Sequence, residues 1–154
     1  MGVTIHYAGQ LHNSSNYQPL LDFSRNYALK IGWSFSLLPF DVGNLQGFVV
    51  HPHQDCEPLE FIFGNRNRFS SWVKTQFSGP DIHIQIVRFL REIKPILGRL
   101  GVSDEGEYWQ TESRETLEWH MNKVNEIIAS YVDANPQIQT KVRTPDGRII
   151  DLIE

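Results

Sequence analysis

Six histidines, eighteen carboxylates and one thiol are the groups through which this chain could do acid–base or metal chemistry. Their densest collection is His51-Pro52-His53-Gln54-Asp55-Cys56-Glu57-Pro58. In an extended segment alternate side chains project to one side, so His51, His53, Asp55 and Glu57 would share a face. Two imidazoles and two carboxylates are ligand types that zinc, manganese or iron accept. At ~3.3 Å per residue the four cannot all reach one ion without a bend, so a ligand from elsewhere is needed. His83 and His6 are the candidates. A divalent metal held there, or an imidazole paired with Glu107, would activate water for hydrolysis. The metal candidates are therefore His51, His53, Asp55 and Glu57, and the catalytic candidates His51, His53, His83 and Glu107. The spacing matches no specific metal motif, and the same residues read more simply as a polar strand end satisfying turn backbone groups.

The other reactive groups have plain explanations. Cys56 lies near histidines, which can generate a thiolate, but in an extended segment it points away from them and reads as a small buried apolar residue. Glu105, Glu107 and Tyr108 in Asp104-Glu105-Gly106-Glu107-Tyr108-Trp109 read as solvated turn residues. Asp81 falls at a capping-box position after Ser78, and His12 and His120 read as surface residues. Arg66, Arg68, Phe69, Trp72 and Lys74 mix cations with rings as single-strand nucleic-acid surfaces do, yet Phe69 and Trp72 fit a core or hairpin better. G-x-S-x-G, the P-loop, G-x-G-x-x-G and H-E-x-x-H are all lacking, so the sequence offers no nucleotide-cofactor site.

The elements that would position these groups follow from periodicity. Val3, Ile5 and Tyr7 alternate as a strand, and Asn13 to Asn16 cap a helix whose stripe is Tyr17, Leu20, Leu21, Tyr27, Ala28 and Ile31, stopped by Gly32. Trp33–Phe40, Gly47–His53, Leu59–Phe63 and Ser71–Phe77 are strand runs, with a loop around Gly43 to Gly47. Their short connections favour antiparallel pairing. Ile82, Ile86, Phe89, Leu90, Ile93 and Leu97 mark a second helix, begun at Ser78-Gly79-Pro80-Asp81 and ended by Pro95. Tyr108 and Trp109 form a short strand or turn. Ser113 caps a third helix with Leu117, Met121, Val124, Ile128 and Tyr131 as its buried stripe. In the tail, Ile138, Thr140 and Val142 alternate, Thr144-Pro145-Asp146-Gly147 turns, and Ile149, Ile150, Leu152 and Ile153 return.

The pattern predicts an α+β fold: a single domain with an antiparallel or mixed sheet of about four to six strands and three helices mainly on one face, plus a C-terminal β-hairpin. Residues 1–135 form the domain. Residues 136–154 form the hairpin, packed on that domain or on a partner chain because a hairpin alone is marginal in water. The 154 residues suffice for one core without metal or disulfide. The net charge of −4 argues against a nucleic-acid coat. No run reaches the ~20 apolar residues of a membrane helix, and the first basic side chain is Arg25, so the reading is cytoplasmic without a leader. Charge is uneven: residues 65–99 carry seven basic and two acidic side chains, residues 100–135 two and eight.

Gly2-Val3-Thr4-Ile5-His6-Tyr7, His53-Gln54-Asp55-Cys56-Glu57-Pro58-Leu59, Lys74-Thr75-Gln76-Phe77 and Asp104-Glu105-Gly106-Glu107-Tyr108-Trp109 together resemble an uncharacterised group of small bacterial proteins over about residues 1–132. The resemblance implies a bacterial, intracellular, stand-alone protein and carries no activity or catalytic residues with it. Size, acidity and the lack of catalytic motifs then favour a binding or interaction module, masking a partner as an immunity protein or antitoxin does, or forming a homodimer through the tail hairpin. The alternative is a small metal- or His-assisted hydrolase around His51, His53, Asp55 and Glu57.

Overall fold

The computed structural model describes residues 2–39, 45–64, 66–137 and 142–150. Its elements run β1 (Thr4–Gln10), α1 (Tyr17–Ile31), β2 (Ser34–Leu37), β3 (Gln46–His51), β4 (Leu59–Phe63), β5 (Arg68–Lys74), α2 (Pro80–Ile93), β6 (Arg99–Asp104), α3 (Tyr108–Thr111), α4 (Arg114–Ala134), β7 (Val142–Arg143) and β8 (Ile149–Ile150). The fold is α+β, with two three-stranded antiparallel sheets, β2-β3-β4 and β5-β1-β6.

β4 runs beside β5 without a ladder between them. Tyr7 joins the sheets instead: its hydroxyl donates to the Glu60 carbonyl (3.1 Å) and accepts from the Glu60 N–H (2.8 Å). Strand alternation turns Ile5, Tyr7, Phe48, Val50, Leu59, Phe61, Phe63, Phe69 and Val73 inward, where they meet Leu20, Leu21 and Ala28 of α1 and Ile86, Val87, Phe89, Leu90 and Ile93 of α2 in one cluster. Phe61 is central, stacked on Phe48 at 5.0 Å and set against Tyr7 at 5.5 Å. A second cluster of Val3, Ile84, Leu117 and Met121 fixes α4 against α2.

Several local signals act as their chemistry dictates. Gly32 ends α1 in the left-handed region at φ 82°, which a residue without Cβ adopts freely. Ser113 accepts the Thr116 N–H at the start of α4, and Pro95 follows the end of α2 in a 3-10 turn. Others act differently. Ser78 makes no capping box: its hydroxyl donates to the Thr75 carbonyl, and Gly79 stands at the helix N-cap. The strand after α2 is Arg99–Asp104, whereas Tyr108 and Trp109 open the one-turn helix α3. In α4 only Leu117 and Met121 of the predicted stripe are buried; Val124 and Ile128 are half-buried and Tyr131 is exposed.

The tail hairpin pairs Val142 with Ile150 and Arg143 with Ile149; Ile138, Thr140, Leu152 and Ile153 lie outside the described residues, as does Gly43 of the expected loop. It docks where β4 and β5 run side by side. Arg148 lays its guanidinium 4.1 Å over Trp72 and donates to the Trp72 carbonyl, Glu60 and Ser71. No helix among the described residues is long and apolar enough to cross a membrane.

Candidate functional site

The 51–58 stretch does not run extended. β3 ends at His51, and the chain closes into a turn in which the Cys56 N–H donates to the His53 carbonyl (3.2 Å). His51 Nε2 lies 2.9 Å from the Cys56 carbonyl, and His53 Nδ1 accepts the Asp55 N–H (3.0 Å). The imidazoles thus serve the turn's own backbone. Glu57 leaves this group altogether: buried, it accepts N–H bonds from Lys74 (2.9 Å) and Ile149 (3.1 Å). His6 lies near Glu105, at 3.6 Å. Among the described residues no three His, Cys, Asp or Glu side chains form a group that could hold a metal ion.

Cys56 is fully buried, and burial pushes its thiol up to about 12, its S–H pointing at the His53 carbonyl. A thiol so placed holds almost no thiolate near neutrality. Native protein at pH 8 is therefore expected to leave Ellman's reagent unreacted, and the same protein in denaturant to release one equivalent at once. Rapid reaction of the native chain would return Cys56 to the nucleophile candidates.

His83 has partners other than those of His51. Its Nδ1 is 2.8 Å from Thr75 Oγ1 and its Nε2 3.0 Å from Asp104 Oδ2. A hydroxyl, an imidazole and a carboxylate in line have the makings of a nucleophile relay. Burial decides otherwise, since Thr75 and His83 are wholly enclosed and a substrate has no route to the hydroxyl. The line instead ties the end of β5, the first turn of α2 and the end of β6. Burial alone would raise the Asp104 pKa. The hydrogen bond and charge of His83, with the Trp109 and Gly106 N–H donors, outweigh it and hold the carboxyl below its ordinary range.

This buried line determines what happens at the surface. Asp104 accepts the Gly106 N–H (2.7 Å) and the Trp109 N–H (2.8 Å), folding the turn that leads into α3. A Cβ on Gly106 would come within 2.5 Å of Leu117 Cδ1 and 3.1 Å of His83 Cε1, so glycine is what lets α4 close on the turn. Glu107 and Glu112, both left-handed at φ 60° and 54°, bracket α3. A non-glycine residue held there costs on the order of 1 kcal/mol and persists only where its surroundings enforce it. Arg91 supplies part of the enforcement: it bonds the Trp109 carbonyl, pairs with Glu112 at 3.4 Å and lies over the Trp109 ring at 4.7 Å.

The strained turn delivers Glu107 to His120, Oε2 to Nε2 at 3.0 Å. Neither His51 nor His83 is its partner. Around this pair Glu107, Glu115, Thr116, Trp119 and His120 line an open depression of about 440 Å³, with Trp119 57% exposed and edge-on to His120. Farther along α4 a second depression of about 490 Å³ is lined by Ile127, Ser130, Tyr131 and Ala134. Helical spacing puts Thr116, His120, Lys123, Ile127, Tyr131 and Ala134 on one side of α4, so the two depressions share a face. Trp119 and His120 carry no motif, but Glu115 with Trp119 and Thr116 with His120 are i, i+4 pairs, the signal by which sequence could have found them. Comparison with known protein families, with curated proteins and with solved structures finds no match to the chain.

Proposed function

We propose that the chain is an interaction module that holds a basic polypeptide partner against the exposed face of α4. The observation that carries this reading is the row of large apolar side chains left in solvent there: Trp119, Ile127 and Tyr131, 57%, 45% and 43% exposed. Tryptophan and tyrosine are the side chains that most often dominate binding energy at protein interfaces. Glu107, Glu115 and Glu126 stand among them, giving the face the negative sign that suits a cationic partner. The groups whose types suit hydrolysis support the same reading, because the imidazoles of His51 and His53, Glu57 and His83 are taken up by backbone groups or the buried line. A masking role of the immunity or antitoxin kind fits such a face. The described part of the tail hairpin fits it less well, being occupied with the chain's own Glu57, Glu60 and Trp72.

A photo-cross-linking residue at Ile127, with a control at the still more exposed Leu29 of α1, tests this reading in cells expressing the chain. The expected result is one discrete adduct from position 127 and none from position 29. The purified partner should then bind at least about tenfold more weakly to the Trp119→Ala/Tyr131→Ala variant, whose fold is checked by circular dichroism. Adducts of equal yield from both positions, or an affinity the double variant leaves unchanged, would overturn the assignment.

A further inference from the structure

Resting on that reading, we propose that the depression lined by Glu107, Glu115, Thr116, Trp119 and His120 is a receptor for a guanidinium group, the side chain of an arginine on the partner. The molecule itself supplies the pattern twice. Arg91 lies over Trp109 at 4.7 Å and meets the Glu112 carboxylate at 3.4 Å. Arg148 lies over Trp72 at 4.1 Å and meets the Glu60 carboxylate at 2.9 Å. In each case a ring face and a carboxylate take the two aspects of one planar cation, its π surface and its N–H edge.

Trp119 has the same surroundings, and among the described residues no arginine lies over it. Glu107 and Glu115 lie beside it, and among the described residues neither forms an ion pair with a lysine or arginine; Glu107 is paired with His120 alone. Among the described residues the cation over the ring is the Lys123 ammonium at 5.8 Å. That is close to the limit of about 6 Å at which such a contact still counts. The His120 bond engages Oε2 of Glu107 and leaves Oε1 to accept from a ligand. Guanidinium suits the site better than ammonium, because a flat ion can lie on the indole while its edge bonds a carboxylate; a compact hydrated ammonium does one or the other. The excess of eight acidic over two basic side chains in residues 100–135 adds long-range attraction for such a ligand.

The test uses the full chain labelled with nitrogen-15 and three blocked peptides, Gly-Arg-Gly, Gly-Lys-Gly and Gly-citrulline-Gly, following the four indole N–H signals. The arginine peptide should shift the Trp119 signal saturably with a dissociation constant near or below about 1 mM, leaving the Trp33, Trp72 and Trp109 signals in place. The lysine peptide should bind at least about fivefold more weakly, and the uncharged citrulline peptide should cause no shift. Glu107→Gln/Glu115→Gln should weaken the arginine peptide at least about tenfold with the other indole signals unmoved. A Trp119 signal that ignores the arginine peptide, or answers citrulline equally, overturns the receptor. If a partner still cross-links at Ile127 in that case, the docking face survives and the guanidinium site alone falls. A saturable arginine shift without any cross-linked partner upholds the guanidinium site and removes the docking face.

Discussion

Asp104→Ala is expected to cost on the order of 3–5 kcal/mol, since each buried donor left without its acceptor costs about 1–3 kcal/mol. That is much of the 5–15 kcal/mol by which domains are commonly stable, so the urea midpoint should fall steeply or the variant should fail to accumulate folded. The substitution strips three donors at once: His83 Nε2, the Gly106 N–H and the Trp109 N–H. His83 stays enclosed, facing a methyl group, and the turn that carries Glu107 loses its anchor. Asp104→Asn keeps the shape and an acceptor oxygen but not the charge, and should lie between wild type and alanine. The pH dependence has a definite sign. With the folded carboxyl held below the unfolded value of about 3.9, its contribution is complete above about pH 5 and is lost as the pH falls through the folded value. The gap between wild type and Asp104→Asn in urea melts should therefore narrow toward acid. A gap constant from pH 7 to pH 3 would show that the charge of Asp104 contributes nothing.

Glu57→Ala should release the tail hairpin. Its carboxylate is almost fully enclosed and bonds the Lys74 and Ile149 N–H groups, with Arg148 at 3.6 Å. Without it two backbone donors are left in a dry site, each worth about 1–3 kcal/mol when unsatisfied. Opening lets water reach them, so the loss should appear as hairpin detachment before global unfolding. Hydrogen exchange reads this directly: the amides of Ile149 and Thr144 should speed up by about a hundredfold or more while those of β1 keep their protection. Trp72, uncovered from Arg148, should change its emission in parallel. Unchanged exchange at Ile149 would mean that the Arg148 contacts with Trp72, Glu60 and Ser71 hold the hairpin alone.

The parts legible in the sequence are those whose signal lies within one element. The stripes of α1 (its last member, Ile31, excepted, which is exposed) and α2, the Gly32 stop, the Ser113 cap and the Thr144–Gly147 turn each depend on residues a few positions apart, and local chemistry suffices to read them. β6 hides because its outward positions are Gly101 and Ser103, too small and polar to suggest a strand, while Leu100, Val102 and Asp104 turn inward. The metal reading requires an extended 51–57, but the His53 carbonyl captures the Cys56 N–H and the alternation is lost. His83 is legible as a notable histidine and not as an enclosed one, since its partners come from β6 and the end of β5. Spacing suggests Glu107 as a partner for histidines elsewhere, and only a left-handed backbone that spacing cannot reveal aims it at His120.

The division of the strands into two ladders also sets the order in which they can form. β2, β3 and β4 follow one another along the chain and pair as neighbours, so their ladder closes only short loops. β1 must wait: Thr4 pairs with Lys74 and Ile5 with Asp104, partners made much later in synthesis. Loop closure of that length is entropically expensive and slow. On the ribosome, then, β1 emerges before β5 and β6, its Ile5 and Tyr7 without their strand partners until those strands are available. The nascent chain passes through a stage in which β1 offers open edges, and that interval is where a chaperone would have work to do.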